Sequence, residues 1–196
     1  EEKETVSAIS ELIEYYKGIF TILSSCASRQ LEEVTFRRGM ISVPELFVLA
    51  EKYFRKANKG KGFAVSFFTR AIDERVVGDF IQLRFLLENL IDEALSVPLD
   101  GEIHLAAAVD GEYIRFLFTD MRRTKTREEL NQLFYPNLER MTATGEKGEL
   151  RGTEYLVCKQ IIRDHDEFAG KRGCRINAEP AENGGFTVYF TIPRRK

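Results

Sequence analysis

The chain has 196 residues, of which 43% are hydrophobic and 15 are Phe, and its 29 basic and 31 acidic side chains leave a net charge of -2. That is enough apolar material for one core with an appendage, and the charge balance excludes a basic nucleic-acid surface or an anionic-membrane stripe. Cys26, Cys158 and Cys174 are far apart and lack CxxC spacing, which argues against a disulfide framework or a zinc site; with no long apolar run and no secretory leader visible, the expectation is a cytoplasmic protein with no membrane insertion in this segment.

From the N-terminus, Val6, Ile9, Ile13, Tyr16, Phe20, Leu23 and Ala27 alternate in steps of three and four, the seam of a packed helix. Leu12, Ile19 and Cys26 widen that seam beyond a two-stranded coil. Such a helix pairs with a second copy or with residues upstream of Glu1, or else folds back on the main domain. Residues 42–60 read as a second helix, with Pro44 near its start, Gly60 beyond its end, and Leu46, Leu49, Ala50 and Tyr53 towards the core. FAVSFF (63–68) is a short strand, and VVGD leads into the helix DFIQLRFLLENLIDEAL. In that helix Leu83, Leu86, Leu87, Leu90, Ile91, Ala94 and Leu95 form the buried stripe, with Asn89 and Glu93 together on its flank. Their position fits either the wet edge of a packed helix or a site.

EIHLAAAV (102–109) and EYIRFLFTD (112–120) flank Asp110-Gly111, a dipeptide suited to a tight hairpin in which both turn residues take positive φ. A polar stretch from Arg122 to Glu149 precedes the helical run TEYLVCKQIIRDH (153–165). GCRINAE and FTVYFTIP close the chain as a second hairpin around Asn183, Gly184 and Gly185. Four or five strands and about three helices, partly segregated, predict an α+β fold, a two-layer α/β sandwich.

This order of parts, with Asn89 in the middle helix, Asp120 ending the first hairpin, LFYP (133–136) and a glycine-marked helix, resembles the catalytic ATP-binding domain of sensor histidine kinases. The resemblance spans nearly the whole chain. It implies a Bergerat-type ATPase fold at 39–196, preceded at 1–38 by the second helix of a dimerisation hairpin. It implies ATP and Mg²⁺ as cofactors, held by Asn89, Glu93, Asp120, Arg122, Gly152 and Thr187, with Glu93 at the metal position and Asp120 matching the family's adenine-reading carboxylate. It implies homodimerisation through the first helix and a response-regulator partner. No catalytic residue is assigned within the chain: the family's phosphoacceptor histidine lies on the first hairpin helix, expected upstream, and His104, in a strand, and His165, after the last helix, are read as structural or surface residues.

The nucleotide boxes depart from the family. Glu93 stands where the family has Asn, a change hard Mg²⁺ tolerates. Arg122 replaces a glycine after Asp120 and either pairs with phosphate or fills the pocket and pairs with Glu93. In LRGTEY only Gly152 survives of the glycine box, and Glu154 puts a carboxylate where phosphate needs bare backbone N–H groups. Residues 134–140 and 142–149 correspond to a lid, expected to be mobile. The expectation is therefore the kinase-like module of a two-component sensor with an eroded ATP site, impaired or specialised; the alternative is a non-enzymatic dimerising signalling module, a pseudokinase.

Overall fold

The computed structural model describes residues 36–135, 142–143, 150–151 and 153–195. The expected N-terminal helix through Thr35, Gly152 and most of the expected lid lie outside the described residues. Phe36–Tyr135 and Glu154–Lys196 form one compact unit; in the other, Thr142–Ala143 (β6) pairs antiparallel with Leu150–Arg151 (β7).

The compact unit is a mixed five-stranded sheet with helices on one side. Its strands are β2 (Val65–Arg70), β4 (Gly101–Asp110), β5 (Tyr113–Asp120), β8 (Ile176–Pro180) and β9 (Phe186–Pro193), in the order β2-β4-β5-β9-β8. β2 runs parallel to β4 and every other pairing is antiparallel. Parity along β5 and β9 sorts the faces: Ile114, Phe116, Phe118, Val188, Phe190 and Ile192 turn into the core, with Phe116 and Phe190 stacked at 4.8 Å between ring centroids. Helices α1 (Val43–Ala57), α2 (Phe80–Leu95) and α4 (Glu154–Phe168) cover that face, and α3 (Arg127–Asn131) is a short helix held by a capping box between Thr126 and Glu129.

The main differences from the sequence reading are local. β1 (Arg38–Ser42) and β3 (Arg75–Asp79) make a separate antiparallel pair that no alternation announced. In α1 the buried residues are Val43, Leu46, Phe47, Ala50 and Phe54, so Phe47 and Phe54 take the core positions expected for Leu49 and Tyr53. In the first hairpin Asp110 pairs with Tyr113, so the turn residues are Gly111 and Glu112 and only Gly111 has positive φ, at 60°. Glycine at the first central position alone is the pattern of a type II′ turn rather than I′.

Helix α2 is fixed at its N-terminus by two buried polar groups. The Asp79 carboxylate caps it, accepting from Ile81 N at 3.0 Å and Gln82 N at 3.1 Å, and also accepts from Arg37 N at 2.8 Å. His165, fully buried on α4, accepts the Asp79 backbone N–H at Nε2 (3.0 Å) while its other ring nitrogen, Nδ1, lies 2.8 Å from the Ile161 carbonyl. An acceptor at Nε2 and a carbonyl at Nδ1 define the neutral Nδ1–H tautomer. His165 is structural, and Gly78 leaves room for its ring, since an added Cβ would sit 2.8 Å from it.

Burial pushes the His165 imidazole below its ordinary range, against the opposing pull of its hydrogen bond to Ile161. Protonation in the folded state would cost the Asp79 hydrogen bond, so below about pH 6.5 the unfolded chain binds the extra proton first and stability falls as pH drops. Urea unfolding between pH 8 and 5 should show this loss, and His165→Leu should be less stable at pH 8 by about 1–3 kcal/mol, with a flatter pH profile.

Candidate functional site

The C-terminal ends of α2 and β5 meet at a cluster of four charges. Asp120, the last residue of β5, is 1% exposed. Its Oδ1 accepts from the Arg122 backbone N–H at 3.0 Å and from Arg122 Nε at 2.9 Å; its Oδ2 accepts from Arg122 Nη2 at 2.9 Å and Arg123 Nε at 2.8 Å. A carboxylate offers about four acceptor positions, and these donors fill them. Burial alone would push the Asp120 carboxyl up, but the hydrogen bonds and charges of Arg122 and Arg123 outweigh it and hold the group below its ordinary range.

The two arginines do different things. The Arg122 side chain is 0% exposed; beyond Asp120 it donates from Nη2 to the Ala94 carbonyl (2.7 Å) and from Nη1 to the Leu99 carbonyl (3.1 Å). Ala94 belongs to the last turn of α2, whose carbonyls lack partners within the helix and favour a cation. Arg123, 11% exposed, donates from Nη1 and Nη2 to the two Glu93 carboxylate oxygens at 3.0 and 2.7 Å, and its guanidinium lies over the Phe186 ring. Tyr155, in the first turn of α4, donates its hydroxyl to Glu93 Oε2 at 2.6 Å. Burial and the Glu93 charge push that hydroxyl well above its ordinary range; burial alone would lower the Arg123 guanidinium, and Glu93 raises it instead.

The structure thus gathers Glu93, Asp120 and Arg122 but corrects two expectations. Arg122 pairs with Asp120, not Glu93; the neighbouring Arg123 takes Glu93. Thr187 does not join Asp120: the register sets Asp120 opposite Phe186, so Thr187 falls on the other sheet face, its hydroxyl 2.8 Å from that of Thr119. Asn89 is one turn from Glu93, but its side-chain amide donates to the Phe85 carbonyl at 2.8 Å on its own helix. Gly152 lies outside the described residues, and Glu154 opens α4, where a carboxylate suits the helix dipole. Arg123 and Tyr155 were missed. The signal available for Arg123 was a second arginine directly after the strand-ending DMR; for Tyr155 there was none beyond its position next to Glu154.

In this arrangement a nucleotide amine or a magnesium ion would compete with the chain's own donors for the oxygens of Asp120 and Glu93. Two open cavities of the compact unit, about 340 and 280 Å³, lie elsewhere, one beside α4 and β8 and the other around Arg38, Glu112 and Arg194.

The family model for the histidine kinase-, DNA gyrase B- and HSP90-like ATPases matches residues 78–196. No curated protein sequence matches significantly. Among solved structures, the nucleotide-free catalytic domain of histidine kinase ThkA superposes with a TM-score of 0.58 at 20% identity, covering 81% of this chain and 97% of that one. The histidine kinase AdeS of Acinetobacter baumannii gives 0.60 at 13% identity, covering 98% of this chain and 82% of that one. ThkA in complex with the response regulator TrrA gives 0.60 at 20% identity, covering 93% of this chain and 52% of that one. These likenesses establish the fold, and the α+β two-layer sandwich expected from the sequence is the one found. With a family model covering more than half of its length, the chain belongs to the histidine kinase-, DNA gyrase B- and HSP90-like ATPase family.

Proposed function

We propose that this chain is the kinase-type ATPase module of a two-component sensor in which the nucleotide site is impaired. The observation that supports this reading is the pairing of both cleft carboxylates: Asp120 is saturated by four donors from Arg122 and Arg123, and both oxygens of Glu93 are engaged, by three donors from Arg123 and Tyr155. Nucleotide must break these contacts before it gains any of its own. Within the expected 1–38 segment, the residues before Phe36 would supply the second helix of a dimerisation hairpin and so a homodimer, while Phe36 to Arg38 join the compact unit with the 39–196 ATPase domain. A response regulator is the corresponding partner, by analogy with ThkA and TrrA. Among the described residues no helix is long and apolar enough to cross a membrane, which fits a module working in the cytoplasm.

In this reading Glu93 is a structural partner of Arg123, and the pseudokinase alternative is its limiting case, with no turnover at all. Isothermal titration of the full chain with ATP and Mg²⁺ should give no saturable binding below about millimolar, where each factor of ten in Kd is about 1.4 kcal/mol. A micromolar Kd would overturn the proposal. Glu93→Gln should lower stability in urea by about 2–4 kcal/mol, because it leaves a largely buried guanidinium with one partner fewer, and added Mg²⁺ should leave the wild-type melting temperature unchanged. A neutral substitution together with Mg²⁺ stabilisation would return Glu93 to a metal-binding role.

A further inference from the structure

Arg122 is seated more like a bound ligand than like a residue of the surrounding framework. Its guanidinium presents two parallel N–H groups to Asp120, the fork-on-fork geometry that also suits any planar base with adjacent donors. Its remaining edge is capped by two carbonyls from the end of α2 and the following loop, Ala94 and Leu99, so no donor edge faces water. The fold leaves space for it: Gly101, with φ at 132°, would place an added Cβ 2.9 Å from Arg122 Cγ. Arg123 also makes a bidentate pair, with Glu93, but among the described residues no carbonyl caps its guanidinium. It touches only side chains, Asp120 and Glu93, and keeps some exposure at the rim over Phe186.

We propose that Arg122 is an internal ligand that occupies the base-binding end of the cleft, and that its guanidinium, rather than a distorted pocket, excludes adenine. The proposal rests on the impaired-site reading and deepens it, because it assigns the impairment to one removable group. Two consequences separate it from a merely structural arginine. Removing the side chain should leave a guanidinium-shaped vacancy that takes a free guanidinium ion, and it should release Asp120 to discriminate between bases.

The experiment uses the full chain with Arg122→Gly, followed by thermal melting. The variant should melt lower than wild type. Methylguanidinium at up to 20 mM should restore the melting temperature saturably, with no restoration by methylammonium or NaCl at equal concentration. ATP with Mg²⁺ at 5 mM should raise the melting temperature of the variant by at least 3 °C, GTP by less than half as much, and methylguanidinium should suppress the ATP effect. The wild type, with millimolar affinity, should respond to ATP by less than half of the variant's shift. If the variant is unfolded alone, recovery of its circular dichroism in methylguanidinium is the supporting result, and failure to recover counts against the proposal. A folded variant that shows no rescue, or no preference for ATP, overturns it while leaving the weak wild-type binding in place. Micromolar ATP binding by wild type sinks the impaired-site reading itself, whatever the variant does.

Discussion

A carboxylate buried at the end of a central strand must be neutralised where it stands, because an isolated charge in a protein interior costs several kcal/mol even after relaxation. Asp120 is that carboxylate, and the site is organised by how its charge is met. Arg122 carries the compensation to the last turn of α2, Arg123 carries it to Glu93, and Glu93 passes it to Tyr155 on α4. One strand and two helices are thereby joined by a chain of charge-assisted hydrogen bonds. Removing one member exposes its neighbour's charge, which makes the cluster cooperative in the sense that pairwise deletions will not add.

The same helix is pinned at its other end by different chemistry with the same logic. Asp79 caps the first N–H groups of α2, while its own N–H is taken by the buried neutral His165 of α4. Between these two ends α2 presents only apolar side chains, from Leu83 to Leu95, to the core. A helix held by non-directional packing alone can slide or roll at little cost; one held at both termini by satisfied buried polar groups cannot. The residues it carries towards the cleft, Asn89 and Glu93, are therefore set in position relative to β5 without any ligand.

What the sequence disclosed follows from how strongly each signal is periodic. The buried stripe of α2 was legible residue by residue, because burial on one face of a helix enforces a repeat, and the run FTVYFTIP gave the extent of β9, which is buried on both faces. β1 and β3 were not, since five-residue strands with one buried position in β1, and Val76, Gly78 and Asp79 in β3, carry too little apolar alternation to register. Thr187 sits opposite Thr119 rather than Asp120, because in a strand a single residue is the difference between the two faces. The cluster itself was half legible: Arg122 stood out as a cation that could fill the cleft, but its pairing with Asp120, and that of Arg123 with Glu93, depend on the turn that follows β5 and on Gly101, a tertiary fact. Tyr155 reaches Glu93 only because α4 packs on α2, which no local pattern encodes.

The exchange of glycine for arginine after Asp120 changes the energetics of the cleft in kind. A glycine there leaves the pocket to whatever ligand is in solution, with occupancy set by concentration. A tethered guanidinium competes at a fixed effective concentration, on the order of millimolar or above for a short tether and higher when packing preorganises it. If the closed arrangement is favoured over the open one by about 3 kcal/mol, only about one molecule in 150 is open, and the apparent Kd of any competing nucleotide rises by that same factor. Binding that would be about 10 μM in an open cleft becomes roughly millimolar. No distortion of the sheet or loss of the fold is needed for this, since the five strands and α2 keep the arrangement of the family. On the proposed reading, a member of a nucleotide-binding family would become nucleotide-independent by supplying, from its own chain, the partner that its buried aspartate requires.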